Sequence, residues 1–344
     1  MEMIQKLHDF ITAATRITVS VHMHPDGDAL GSGLALVRFL TGVMGKDAVL
    51  ALPDSIPETL SFMSMEDDRE RVIAHSEDPE KAERRIASSD LLFCLDCNAF
   101  SRTAALEDAL RASTAPKVLV DHHLNPDTES FDLVFSKPEV SSASEVLFWT
   151  LLELEEVDGD AGRLPDGSIQ ALMTGLTTDT NNFANSVFPS TLEMASRLLE
   201  AGADRDGILS SLYNSYRENR LRLMGFMLGE RMKITPDGVA CMILDRKTQE
   251  RFDFRQGETE GFVNMPLAIQ SVRMSIFLTE EEDRFRVSVR SKKGTSANMF
   301  ARTYCNGGGH EQAAGGKLLF PQDIESPDAA EEYILSATSK FFSR

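Results

Sequence analysis

The sequence predicts an α/β protein: a mostly parallel sheet flanked by helices, followed by a smaller α/β domain in the C-terminal part. Three observations carry this reading. Apolar, β-branched runs alternate with helical stretches through the first part of the chain, as in strand–helix–strand units. Three of these runs end abruptly in residues that bear chemistry: Val21 meets His22, Leu95 meets Asp96, and Val120 meets Asp121-His122-His123. With 344 residues and 42% hydrophobic composition, the chain has enough apolar material for two cores.

Strands are expected near 17–22, 48–52, 91–95 and 117–121, with helices near 29–43, 80–87 and 103–111. In such sheets ligands collect beyond the carboxyl ends of the strands, near a switch in strand order. Helices near 142–156, 168–178, 190–201 and 204–215 extend this domain, and the segment 157–167, with its Gly, Asp and Pro165, reads as an exposed turn. A helix over 218–233, apolar at Leu221, Met224, Met227 and Leu228, reads as a connector whose methionines pack rather than bind. Strands near 238–245, 272–279 and 284–290 follow. The last alternates Phe285, Val287 and Val289 against Arg286, Ser288 and Arg290, the pattern of a half-buried strand. The expected boundaries are a first domain over 1–200, a helical connector over 201–233 and a second domain over 234–344.

Formal net charge is −19, and residues 1–200 hold 15 Lys and Arg against 34 Asp and Glu, while residues 201–344 hold 20 of each. All the excess negative charge therefore lies in the first part, which disfavours non-specific binding to duplex DNA. A small anion held by local cations is compatible with it. From Arg284 to His310 the chain carries Arg284, Arg286, Arg290, Lys292, Lys293 and Arg302, with no acid until Glu311. No apolar stretch approaches the roughly 20 residues of a membrane span. The N-terminal residues lack the layout of a secretion signal, and Cys94, Cys97, Cys241 and Cys305 show no framework spacing. Reduced thiols and a cytoplasmic location are expected, with no membrane partner and with a homodimer left open.

In His22-Met23-His24-Pro25-Asp26-Gly27-Asp28, Pro25 and Gly27 exclude regular helix, so several side chains can converge from one loop. Taken alone, Pro-Asp-Gly-Asp is a turn motif and Asp96 a helix cap. The repetition of polar residues at three strand ends changes that reading. Asp179 adds a fourth carboxylate at the end of an apolar helix, where it opposes the helix dipole and needs a positive partner. Five of the seven histidines, His22, His24, His122, His123 and His310, fall in such segments. The four carboxylates Asp26, Asp28, Asp96 and Asp179 balance two divalent ions, with His22 and His122 as neutral ligands. Carboxylate and imidazole without thiolate favour Mn²⁺, with Mg²⁺ or Co²⁺ also acceptable. Two such ions about 3.5–4 Å apart hold a hydroxide and clamp a phosphoryl group during in-line displacement.

At these residues the chain resembles the DHH phosphoesterase superfamily, whose named motif is Asp121-His122-His123 and whose first motif matches His22, Asp26 and Asp28. Asp96 and Asp179 match further motifs of that superfamily. The run Gly307-Gly308-Gly309-His310-Glu311-Gln312-Ala313-Ala314-Gly315-Gly316 is similar to the signature of the DHH-associated substrate-binding domain. The resemblance implies that His22 and Asp26 hold one metal, that Asp28, His122 and Asp179 hold the other, and that Asp96 bridges. It also implies that His123 lies beside the scissile phosphate as an orienting or proton-donating group, and it leaves the role of His24 open. Asp121 is expected behind these ligands, fixing an imidazole tautomer. Arg290, Ser291, Gly307, Gly308, Gly309 and His310 are expected to bind substrate, the glycines by letting amides approach a phosphate. By length and domain pairing the chain looks most like the bacterial oligoribonucleases that also dephosphorylate 3′-phosphoadenosine 5′-phosphate, so short single-stranded RNA or nucleotides are the expected substrates. Hydrolysis of cyclic or linear dinucleotides or of polyphosphate is the alternative within this class. A non-catalytic nucleotide or RNA binder is the alternative outside it.

Overall fold

Residues 2–343 are described by a computed structural model, and they divide into two units between Ser215 and Tyr216. In the first unit the chain runs α1 (Glu2–Ala13), β1 (Arg16–Val21), α2 (Gly27–Gly42), β2 (Asp47–Leu52), β3 (Val72–Ala74), α3 (Pro79–Ala87), β4 (Leu91–Leu95), α4 (Glu107–Ala112), β5 (Lys117–Asp121) and β6 (Leu133–Ser136). Helices α5 (Ala143–Leu152), α6 (Asp166–Asp179), α7 (Pro189–Glu200) and α8 (Arg205–Tyr213) complete it. Every pairing in the sheet is parallel, in the order β3-β2-β1-β4-β5-β6. Parallel sheets are covered on both faces, and β1, β4 and β5 are accordingly apolar and buried almost throughout. Ile17, Val19, Leu91, Phe93 and Val120 pack with α2, α5 and α6 on one side. Leu92, Cys94 and Leu119 pack with Ala82 and Ile86 of α3 and Leu110 of α4 on the other. Strand order reverses at β1, with β2 on one side and β4 on the other.

Helices α2 and α6 approach unusually closely. A Cβ added at Gly31 would lie 2.6 Å from the Ala171 carbonyl oxygen and 2.9 Å from Gly175 Cα, so only glycine fits there. This contact fixes the two helices that carry Asp28 and Asp179.

The second unit runs α9 (Glu218–Phe226), β7 (Lys233–Ile234), β8 (Val239–Leu244), α10 (Arg246–Arg251), β9 (Met274–Glu280), β10 (Arg284–Ser291), α11 (Ala297–Tyr304), β11 (Gly308–Gly309), β12 (Ala313–Leu319) and α12 (Ala330–Phe342). Its sheet is mixed, in the order β11-β12-β10-β9-β8-β7, with only β8 and β9 parallel among the described strands. Ile276, Val287, Val289, Phe300 and Ile334 form one core. Leu223, Met227, Met242, Phe262 and Phe277 form another on the opposite face, so the methionines of α9 do pack.

Several local expectations are corrected. The expected helix over 103–111 is a tight turn, Phe100–Leu106, broken at Ala104 (φ 46°) before α4 begins. The helix over 218–233 ends as regular α-helix at Phe226 and continues to Arg231 as a wider turn. The segment 157–167 is not simply exposed, because Val157, Ala161 and Leu164 are buried in the first core. Cys94 and Cys97 lie side by side across the left-handed turn at Asp96 (φ 52°). Cys241 and Cys305 are free and buried.

Gly31→Ala should destabilise the protein by about 1–3 kcal/mol, the range for overpacking a close contact. Gly42→Ala, whose Cβ would meet only Pro165 at 3.6 Å, serves as the control. Urea unfolding of both variants checks this, and equal midpoints would rule out the tight α2–α6 contact.

Candidate active site

Strand register assembles the centre. Val21 of β1 pairs with Leu95 of β4, and Leu95 pairs with Val120 of β5, so His22, Asp96 and Asp121 emerge side by side at one sheet edge. The His22 Nδ1–H donates to the Met23 carbonyl at 2.7 Å, which turns Nε2 toward the carboxylates. That nitrogen stands 3.2 Å from Asp96 Oδ2 and 3.8 Å from Asp26 Oδ1. Asp26 caps α2, its Oδ1 accepting from the amides of Asp28 and Ala29. Asp28, the second residue of α2, accepts from the amides of Ala143 at 2.7 Å and Ser144 at 3.0 Å at the start of α5. Its carboxylate fits because position 175 is glycine, where a Cβ would lie 2.9 Å from Asp28 Oδ1.

The other oxygen of Asp96 faces a different imidazole. His122 Nε2 lies 3.5 Å from Asp96 Oδ1 and 3.6 Å from Asp179 Oδ2, so Asp179 finds a positive partner at the end of α6. Asp96 is buried and adopts a left-handed backbone that Asp tolerates better than most residues. Its Oδ1 is inaccessible to water and has no hydrogen-bond partner among the described residues, which for a carboxylate is costly unless a cation is present. His22, Asp26 and Asp96 form one group whose ligand atoms lie within 4.8 Å of one another, and Asp28, Asp96 and His122 form a second sharing Asp96. The six residues expected to hold metal are thus brought together, Asp179 through His122 rather than within either group, and their carboxylate and imidazole donors suit divalent cations.

Burial lowers the His122 pKa, but hydrogen bonding to Asp96 and the charge of Asp179 outweigh it and raise the value to about 10. For His22, burial is likewise outweighed by Asp26 and Asp96, and the pKa rises well above 6.5. Burial and the charge of Asp96 push Asp28 up to about 7. Desolvation and Asp28 raise Asp179. Burial acts on Asp96 in the same upward sense, yet His122 and His22 hold it well below the usual carboxylate range. Without cations the centre is held together by protons on its imidazoles.

His123 is engaged differently. Its Nδ1–H donates to Asp121 Oδ1 and its backbone amide to Asp121 Oδ2, both at 2.9 Å, so the tautomer that Asp121 fixes is that of His123. His123 Nε2 accepts from Arg102 Nη1 at 2.9 Å. His24 is exposed and turned to Asp54, whose carboxylate accepts its backbone amide at 2.7 Å. Sequence reasoning missed Arg102 and Gly175. Arg102 sits six residues after Asp96 in a turn without periodicity, and the one available signal was a lone cation just beyond a strand-end acid.

In the second unit, Arg290 lies on β10, with Nη1 donating to the Val289 and Ala314 carbonyls at 3.1 and 3.4 Å. The Ser291 hydroxyl donates to the Thr295 carbonyl at 2.6 Å. Gly308 and Gly309 form the edge strand β11 rather than an open loop. A Cβ at Gly307 would come within 1.9 Å of the Gly315 carbonyl oxygen, so close backbone packing explains this glycine. The amides of Gly307, Gly309 and His310 already donate to Ala301, Asn298 and Ala313. The basic run is partly neutralised: Arg284 pairs with Glu281 and Asp283, Arg286 lies 3.6 Å from Glu281, and Lys292 donates to the Ile269 carbonyl. Arg302, which borders Gly308, is exposed.

Residues 16–176 match the model of the DHH family N-terminal domain, and residues 238–334 match that of the DHHA1 domain. The chain is 32% identical to a Bacteroides fragilis protein whose crystal structure is described as exopolyphosphatase-related, with a TM-score of 0.90 over 99% of this chain and 96% of that one. It is 28% identical to the bifunctional oligoribonuclease and PAP phosphatase NrnA of Bacillus subtilis, over 88% of this chain and 89% of that protein. It is 26% identical to the cyclic-di-AMP phosphodiesterase PdeA of Listeria monocytogenes, over 98% of this chain but only 49% of that protein.

A cation binds carboxylates and neutral imidazole, so it must displace the protons held without it. At pH 7 the His122 imidazole, with its pKa at about 10, carries its extra proton, and Asp28, at about 7, is partly protonated. Mn²⁺ binding near pH 7 should therefore release at least one proton per protein. Apparent affinity should rise by about tenfold or more per pH unit between pH 6 and 8. Calorimetry in buffers of different ionisation enthalpy measures the release, and a buffer-independent heat would contradict the proton-held centre.

Proposed function

The chain belongs to the DHH family and carries a DHHA1 domain, and on that premise we propose that it hydrolyses the phosphoester bonds of very short oligoribonucleotides and of 3′,5′-nucleoside bisphosphates. The single observation behind this reading is Asp96, whose two oxygens face two imidazoles within two overlapping ligand groups. His22 and Asp26 would hold one divalent cation, Asp28, His122 and Asp179 the other, and Asp96 both. Carboxylate and imidazole without thiolate favour Mn²⁺. Bound there, the cations supply Lewis-acid charge to the attacked phosphoryl group and generate the water nucleophile.

The chain's own groups do the rest. Met23 and Asp121 fix the tautomers of His22 and His123 through their hydrogen bonds. The amides of α5 hold Asp28 in place. With its Nδ1–H on Asp121 and its Nε2 accepting a hydrogen bond from Arg102, His123 suits an orienting role better than a proton-donating one. In the second unit, recognition of a substrate's remaining phosphate would fall to the side chains of Arg290, Arg302 and His310. The run's bonded amides favour that over an amide cradle. We place the activity in the cytoplasm; among the described residues no helix is long and apolar enough to cross a membrane.

Hydrolysis of cyclic or linear dinucleotides is the second reading, favoured by the Listeria relative, which matches this chain nearly end to end although the chain spans about half of it.

With Mn²⁺ present, a diribonucleotide and 3′-phosphoadenosine 5′-phosphate should give the highest kcat/KM in a panel that adds a longer oligonucleotide, cyclic di-AMP and polyphosphate. Hydrolysis of neither would sink the proposal, and preference for cyclic di-AMP would select the second reading. Asp96→Asn should lower kcat by more than about 100-fold, since even the outer partners of metal ligands contribute 10–100-fold, while circular dichroism remains that of the wild type.

A further inference from the structure

Arg102 sits in an unusual electrostatic position. It lies in the turn Phe100–Leu106 that follows Asp96, and its carbonyl accepts from the Met23 amide at 2.8 Å, tying this turn to the His22 loop. A guanidinium next to an imidazole that itself lies against Asp121 and Asp96 would ordinarily seek a carboxylate. Among the described residues it pairs with none, and the acceptor it meets is the Nε2 of His123.

That acceptor is itself held rigidly. Asp121 grips His123 at two points, the ring Nδ1–H and the backbone amide, both at 2.9 Å, and Asp121 is fully buried. The order of support runs from Asp121 through His123 to Arg102. One of the five guanidinium N–H groups is used, and the charge remains uncompensated by any carboxylate. Planar, forked donors of this kind match the oxygens of a phosphoryl group.

We infer that Arg102 is a phosphate-binding residue of this centre, held in place by the Asp121–His123 pair, and that it stabilises the negative charge of the phosphoryl group as its bond to the leaving oxygen breaks. The inference rests on the phosphoesterase reading above for its substrate. His123 then acts as a positioning residue, presenting the guanidinium.

The test compares wild type with Arg102→Ala and Arg102→Lys, each loaded with Mn²⁺. The measurements are Mn²⁺ affinity, melting temperature, inorganic phosphate affinity of the loaded protein, and kcat and KM for a diribonucleotide. In Arg102→Ala, Mn²⁺ affinity and melting temperature should stay at wild-type values. Phosphate affinity should fall by about tenfold or more, and kcat by about 10²–10³-fold. Added guanidinium ion should restore part of the rate, an effect that a purely structural role does not produce. Arg102→Lys, which keeps the charge and loses the fork, should fall between the two. The inference is overturned if Arg102→Ala binds phosphate as wild type does, if loaded wild type binds no phosphate, or if Arg102→Ala loses Mn²⁺ and phosphate together. A wild type that binds phosphate but cleaves no phosphoester defeats the function proposed above. The phosphate arm still decides the role of Arg102.

Discussion

A carboxylate sealed from water at the edge of a parallel sheet demands positive charge within reach, and the first unit is arranged around that demand at Asp96. The strand order β1-β4-β5 supplies His22 on one side and His122 on the other, each near a different oxygen. The helices then fall into line. The first turn of α2 delivers Asp26 and Asp28, and the last turn of α6 delivers Asp179. Their close contact through Gly31 and Gly175 keeps the two ends together, so helix packing and site geometry are one constraint.

How much of this was legible depended on whether a residue left a periodic signal. The apolar runs of β1, β4 and β5 are long and buried on both faces, and their polar terminators stand out against them. The alternation along β10 was equally clear, with Phe285, Val287 and Val289 inside. Strands β3 and β6 are the short edges of the first sheet, with three and four residues, too brief for a pattern. Strand β12 was hidden by its own Ala313-Ala314-Gly315-Gly316, since glycine argues against a strand until a close backbone neighbour is known. At Gly316 that neighbour is the Cys305 carbonyl, 2.1 Å from where a Cβ would lie. Arg102 and Gly175 matter through what lies opposite them in space, which no local window contains.

The two units handle negative charge in different ways. In the first, acids are concentrated and held by imidazoles and helix amides. In the second, several cations are already matched, Arg284 and Arg286 by acids and Lys292 by a carbonyl, and the glycine-rich run is stitched into the sheet by Asn298 and Ala313. A basic stretch of sequence overstates the charge available to a ligand, because near neighbours such as Glu281 and Asp283 lie just outside it.

The bonds between Asp28 and the first amides of α5 set the two carboxylates at the start of α2 apart. Backbone N–H groups at a helix N-terminus draw electron density from both oxygens of Asp28, whereas Asp26 gives its amides one oxygen only. Asp28 cannot turn without losing a bond to α5, so it is the fixed reference of the cluster, and Asp26, held by its amides through Oδ1 alone, is the adjustable member.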